Sequence, residues 1–277
     1  TDTHNDWILP NTGYAKQTIS MSYTTKVNKW IDVNARVNYM HRTSDNVPQS
    51  GYSSANPTYG LIYGFTNNSI RDYYDEYFQG RFNAVVYQAQ GKNGVGLVWP
   101  GSQPYNPYRT LYEETSTLNK NRVFGNIGVT FKFPGKGLSL TVRGGLDMND
   151  EFRTQRKPYI TTMYMKGFYR EQTIRRTETN MDFLLKYQND QLMNQHLSLT
   201  ASFGGNTMST RYSNQSLTLK QLGLEGIYNV NNAPADVPAD PYQYRSHKVV
   251  NSFYGFVSLG WDNTYFLDVT GRNDWSS

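Results

Sequence analysis

The chain of 277 residues carries 27 Lys and Arg against 22 Asp and Glu, a formal charge of +5, and no cysteine, which excludes thiolate metal sites, disulfide frameworks and cysteine nucleophiles together. Aromatic residues make up 15% of the chain, yet mean hydropathy is −0.69, so rings are plentiful and aliphatic bulk is scarce. No window approaches the roughly 18 to 20 consecutive apolar residues of a spanning helix, and Thr1 to Pro10 lack the basic-then-apolar pattern of a signal peptide. The basic residues are scattered, and the densest pair, Arg175-Arg176, is followed by Glu178; nucleic acid is therefore not an expected partner.

Alternation of apolar and polar residues, the mark of a strand with two unlike faces, starts at 15–24 and continues through 30–42. There Ile31, Val33, Ala35, Val37 and Tyr39 oppose Asp32, Asn34, Arg36 and Asn38. Segment 43–118 breaks the pattern and is far too long for a plain connector. Asn56-Pro57 predicts a capped helix running to Phe65, and Asp72 to Tyr77 predicts a second. Alternation returns in 119–133 and 138–153, where Leu138, Leu140, Val142, Leu146 and Met148 oppose Ser139, Thr141, Arg143, Asp147 and Asn149. It continues in 168–187, 196–209, 247–261 and 264–276, about eight strands in all. The segment Asn232 to Pro241, rich in Pro and Asp, is expected to be extended or turn-like.

Tight links (25–29, 134–137, 188–195, 262–263) alternate with long ones (43–118, 154–167, 210–246). That asymmetry is expected of a transmembrane β-barrel with short turns on one rim and long loops on the other. A soluble sandwich also alternates and also tolerates long loops. The charges on the polar parity, and the rings Trp30, Phe131, Phe133, Tyr187, Trp261 and Tyr265 beside the tight turns, favour the barrel.

Chemistry-bearing motifs are few. His4, His41, His196 and His247 lie far apart, without metal-ligand spacing. Asp72, Asp75 and Glu76 form an acidic group that lacks the ligand order of a calcium loop, so no cofactor or metal is expected. No paired carboxylates, nucleophile with its base, or phosphate-binding glycine pattern is readable, and no catalytic residue is assigned. What the long loop does supply is rings and amides, among them Tyr59, Trp99, Tyr105 and Tyr108 beside Asn56 and Gln103, a mixture that suits an oligosaccharide or a peptide.

Three stretches carry a resemblance to a known family. They are Asn106-Pro107-Tyr108-Arg109-Thr110-Leu111-Tyr112; Arg122 to Asn126 with Leu138 to Asp147; and Gly255 to Trp261 with Phe266 to Ser277. Together they resemble the middle of the barrel in SusC-like (RagA-type) TonB-dependent outer-membrane transporters. The resemblance implies an all-β fold, an antiparallel transmembrane segment of about 8 strands from a barrel of about 22. Residues 1–277 would then be a partial barrel domain, lacking the plug and the remaining strands. It further implies import of a large nutrient, oligosaccharide or peptide, driven through the TonB complex, with a SusD-like surface lipoprotein over the mouth and outer-membrane lipid around the wall. In that picture Arg36, Arg143, Asp147, Asp182, Lys186, Asp268 and Arg272 face the lumen, and no bond chemistry is performed. The rival from another class is a surface glycan-binding or adhesin β-protein without transport, and an outer-membrane hydrolase is a third.

Overall fold

A computed structural model of the protein describes residues 1–6, 8–48, 56–58, 69–79, 107–135, 137–159, 164–193, 196–262 and 264–277. They form one nine-stranded antiparallel sheet in which every strand pairs with its neighbours in sequence. The strands are β1 (Asp2–Asn5), β2 (Tyr14–Asn28), β3 (Ile31–Ser44), β4 (Ser116–Phe133), β5 (Leu138–Tyr159), β6 (Lys166–Leu192), β7 (Leu197–Leu219), β8 (Asp240–Trp261) and β9 (Tyr265–Ser276). Helices α1 (Ile70–Gln79) and α2 (Pro107–Tyr112) lie in the described part of the long connection between β3 and β4.

The expected strands are all present, with one more, β1. Its sequence, Asp-Thr-His-Asn, has no apolar parity to announce it. The expected long link at 154–167 is corrected: β5 and β6 run on until Tyr159 pairs with Lys166, which leaves a short connection. Strand β7 likewise extends to Leu219 and β8 begins at Asp240, so the link between them shrinks to 220–239. Each extension lies at the end away from the tight turns, where both faces are polar and the alternation fades. The expected helix at Asn56 begins as predicted: the Asn56 carboxamide oxygen accepts from the Thr58 amide at 3.0 Å. Residues 59–65 lie outside the described residues. Helix α1 contains the expected 72–77 turn.

The register sets the tilt of the sheet. Ile31, at the turn between β2 and β3, pairs with Phe131, two residues short of the next turn. Leu138 at that turn is level with Tyr187, Ala201 and Val257, and Trp261, at the last turn, lies four residues beyond Val257. The turn rim thus steps by about one residue per strand, and a rise of ~3.3 Å across a spacing of ~4.8 Å inclines the strands by about 35°. That matches the tilt of transmembrane barrels.

Pairing also sorts the side chains onto two faces. One holds Lys132, Arg143, Asp147, Asp182, Lys186 and their neighbours. The other holds Val123, Ile127 and Phe131 on β4, Leu140, Val142 and Leu146 on β5, and Leu259, Val257 and Phe253 on β8. Among the described residues, that second face carries no charged side chain from the turn rim up to Val123 on β4 and Met148 on β5. Ten residue steps at ~3.3 Å, tilted by about 35°, give a band about 27 Å tall, against the roughly 25 Å apolar band of outer-membrane barrels. The band is bare: Ile127 is 54% exposed, Met181 61% and Met21 68%. No second layer covers it among the described residues, which overturns the sandwich alternative. The fully buried hydrophobic side chains, such as Leu111, Leu219 and Leu222, gather at the loop end.

Within the band, Gly205 makes room for rings. Phe203 stacks on Phe253 with centroids 5.9 Å apart, and Phe183 meets Phe203 edge-on at 6.0 Å. A Cβ on Gly205 would lie 2.7 Å from the Phe183 ring and 2.9 Å from the Phe253 ring. Gly205→Val in the full-length protein is expected to cost about 1–3 kcal/mol through this overpacking. Gly271→Ala, where a Cβ meets nothing within 4 Å, should be nearly neutral. The urea midpoints of the two variants check the contrast.

Candidate functional site

On the polar face the charges are joined across strands. The Arg143 guanidinium donates to Asp182 on the facing strand at 2.7 Å. Arg122 reaches diagonally to Asp147, with Nε to Oδ1 at 2.8 Å, while Lys132 pairs with Asp32 and Lys120 with Glu151. Arg272 donates to Asp274 at 2.8 Å and to the Ser252 hydroxyl at 3.1 Å. The register places Arg36, Arg143, Asp147, Asp182, Lys186, Asp268 and Arg272 on this one face. Arg36, Lys186 and Asp268 form no ion pair among the described residues. Arg36 instead borders a hollow of about 610 Å³ together with Thr18, Asn38, Asn126, Asp147, Glu178 and Asn180. Gly145 leaves the floor of this hollow open, since a Cβ there would reach only Asn180 and the Gly125 carbonyl at 3.7 Å. Its chemistry is that of a wet, hydrogen-bonding wall with one free guanidinium beside two carboxylates.

At the opposite end from the tight turns, α2 is bolted to the sheet. Pro107 occupies its first position, where a missing amide hydrogen costs nothing. Arg109 is only 1% exposed; it donates to the Tyr159 carbonyl at 2.6 Å and to Glu113 at 3.1 Å. The Leu111 carbonyl accepts from Asn46 at 3.0 Å and from Asn11 at 2.8 Å, which ties the helix end to both the β1–β2 and β3–β4 connections. Lys157 pairs with the buried Glu114 at 3.0 Å. Tyr159 in turn donates to the Leu222 carbonyl at 2.7 Å, and Leu222 packs with Leu219 and Tyr169. One chain of contacts therefore links three connecting segments to the ends of β5, β6 and β7.

Helix α1 meets α2 through rings. Tyr77 stacks on Tyr112 at 6.1 Å, and Phe78 meets Tyr108 and Tyr112 edge-on at 5.7 and 5.4 Å. Burial, followed by the negative charge of Glu113 and a hydrogen bond to it, pushes the Tyr77 phenol well above its ordinary range, so this hydroxyl stays protonated. Burial also raises Tyr228 on the 220–239 connection.

Of the four rings proposed for ligand contact, Tyr59, Trp99 and Tyr105 lie outside the described residues. Tyr108 lies in α2 with its ring edge-on to Tyr74 at 5.5 Å, a packing contact between the two helices. In the acidic group, Asp75 takes a hydrogen bond from Arg71 at 3.0 Å, and the side chains of Asp72 and Glu76 are outside the described set. The histidines stay separate: His41 is bonded to Asn121 at 2.9 Å, His247 to Ser209 at 2.9 Å, and His196 to Asp262. No group of three metal-binding side chains occurs among the described residues. The residue that sequence reasoning overlooked is Arg109. It stood inside the Asn-Pro-Tyr-Arg motif, but nothing in the spacing says that a lone arginine is buried.

No protein-family model matches the chain, and no curated protein matches it in sequence. Among solved structures, the sheet is similar to the RagAB peptide transporter, with a TM-score of 0.68 at 13% identity over 96% of this chain. Against the RagAB peptide importer in its closed-closed state the score is 0.70 at 15% identity. It is also similar to the pyoverdine-bound FpvA of P. aeruginosa, at 0.52, 10% identity and 99% of this chain. The chain spans 28% of the length of the RagAB chains and 32% of FpvA. The chain thus has the fold of part of these barrels, in keeping with the antiparallel barrel segment that the residue resemblance implied.

Removing the Arg109 guanidinium takes from the Tyr159 carbonyl the side chain that donates to it and leaves Glu113 with only the Tyr77 hydroxyl and no cation beside it. Arg109→Ala is expected to destabilise the rim by about 3–5 kcal/mol, the usual cost of breaking a buried charged contact. The loss should be local. Amide exchange in 107–115 should accelerate while β4 and β5 near the turns stay protected, as hydrogen-exchange mass spectrometry of the full-length protein would show.

Proposed function

We propose that this chain forms part of the wall of an outer-membrane transporter that imports an oligomeric nutrient, an oligosaccharide or a peptide, by TonB-coupled active transport. The observation that carries this reading is the uncharged, uncovered band about 27 Å tall on one face of a tilted meander, backed by a face dense in paired charge. Hydrocarbon solvates the first face. The second, with its hollow beside Arg36, borders the wet interior and the plug that fills it. The edge strands β1 and β9 continue into further strands of the complete barrel, and α1, α2 and the 220–239 connection lie on the extracellular side. There they meet the substrate and a SusD-like lipoprotein. Support for the partner comes from the likeness to the two-component RagAB transporter, and support for a peptide from what those structures are named for.

Two experiments test the reading. Ile127→Arg, at mid-band, should cost about 2–4 kcal/mol in a membrane-embedded barrel and lower the yield of folded full-length protein in the outer-membrane fraction. Asn126→Arg, one residue along on the wet face, should be tolerated. Equal yields would remove lipid from the apolar face.

Function is checked by uptake. Cells that produce the full-length protein should accumulate a fluorescent oligopeptide or oligosaccharide, and the accumulation should vanish in a strain lacking TonB. Surface binding that survives without any accumulation in either strain would favour the adhesin.

A further inference from the structure

Above the apolar band, the same outward face changes character on three adjacent strands. Arg211 on β7 is paired in register with Thr177 on β6 and His247 on β8. One outward position further up, Ser213 on β7 is flanked by Arg175 on β6 and Arg245 on β8. Four basic side chains therefore occupy two successive rungs of three neighbouring strands, about 5 Å apart across strands and ~7 Å along them. All four are exposed. Asp150, opposite Arg175 on β5, is the acidic neighbour; its carboxylate accepts from Arg175 at 3.3 Å, and both side chains remain more than half exposed. Arg211 and Arg245 form no ion pair among the described residues, and His247 bonds only the Ser209 hydroxyl there.

Height decides what this patch meets. Corrected for the one-residue stagger per strand, Arg211, Arg175 and His247 stand two to three residue steps above the upper margin marked by Val123, Met148 and Trp275, or about 5–8 Å, and Arg245 stands about five steps, or roughly 13 Å, above it. That is headgroup depth, on the rim that bears the long connections. The polar face has its own basic residues, several of them paired with carboxylates, as Lys120, Arg122, Lys132 and Arg143 are; the outward cluster has one acid, Asp150, beside its three arginines and His247.

We infer that Arg175, Arg211, Arg245 and His247 form a binding site for the phosphate groups of the outer leaflet's glycolipid, lipid A. Guanidinium groups match phosphate oxygens with two parallel hydrogen bonds, and several phosphates on one headgroup engage several strands at once. The site fastens the barrel vertically in the outer leaflet and surrounds it with a fixed lipid on the β6–β8 side. It rests on the outer-membrane reading.

The test uses full-length protein purified in detergent and titrated with bis-phosphorylated lipid A, binding being read by native mass spectrometry. Combining Arg175→Gln, Arg211→Gln and Arg245→Gln should weaken binding on the order of 100-fold. Lys248→Gln, the sequence neighbour of His247 on the opposite face, should leave it unchanged. Lipid A stripped of its phosphates should fail to saturate the wild-type protein, and phosphatidylglycerol should compete only weakly. The inference is overturned if the triple variant binds as tightly as wild type, if dephosphorylated lipid A binds equally, or if phosphatidylglycerol displaces lipid A at equal concentration. It is likewise overturned if the patch proves to join two copies of the chain, so that the substitutions abolish a dimer and spare lipid. Should the triple variant not fold, Arg211→Gln alone should weaken binding about fivefold, one basic residue's share. A well-folded, heat-modifiable barrel with unaltered lipid binding sinks the lipid site alone, whereas a wild-type protein that forms no membrane barrel sinks the transport reading first.

Discussion

This sheet has no dry interior of its own between the turn rim and the loop end, and everything else in the structure follows from that. A nine-stranded meander satisfies its backbone groups through its ladders but leaves two broad faces to be solvated from outside. In water, a bare face holding Ile127, Met21 and Met181 at more than half exposure would be an association surface. In hydrocarbon the same face is at home. The structure can then spend its polar side chains on the other side, where water and protein satisfy them. Strand length, tilt and the one-residue stagger per strand all fall where a sheet that crosses a bilayer has them.

Much of this was legible in the sequence wherever the two faces differ in solvent. Within the band, Ile31, Val33, Ala35 and Val37 alternate with Asp32, Asn34 and Arg36 because one set lies on the uncharged face and the other on the charged one, and the pattern located the strands. Above the band both faces are wet. The stretch Arg175-Arg176-Thr177-Glu178-Thr179-Asn180 has no apolar parity, yet it lies in the middle of β6 and is fully laddered to β5 and β7. Pattern reading is blind there for a physical reason: strand continuity is carried by the backbone and by inclusion between neighbours, neither of which leaves a hydrophobic period. Strand β1 is the same case in miniature.

The rim was harder to foresee because its order comes from single polar contacts between segments far apart in sequence. Arg109 holds a carbonyl 50 residues away, and Asn46 and Asn11 converge on the Leu111 carbonyl from two different connections. The sequence displays the rings of this region plainly, and it was natural to read Tyr108 as a ligand contact. In the structure its ring is engaged with Tyr74 and Phe78, so the aromatic richness of the described part of the loop goes first into joining α1 to α2. A loop that presents a surface to partners has to be stiffened from behind, and the buried arginine and the ring cluster do that here.

The two populations of charge divide the labour. On the polar face Arg143 meets Asp182 and Arg122 meets Asp147, so the wall shows little net field at those positions while keeping its hydrogen-bonding capacity. Such partly exposed pairs add little stability singly. What they add is a set of fixed, mutually satisfied dipoles along the polar face. Arg36 and Lys186 stand outside this pairing among the described residues, and an anionic group would be felt at their positions on that face. On the other face the arrangement is the reverse, since Arg211 and Arg245 form no ion pair among the described residues and Arg175 has Asp150 alone. One sheet thus carries two unlike surfaces of charge, mutually satisfied at several positions on one face and clustered around a single carboxylate on the other.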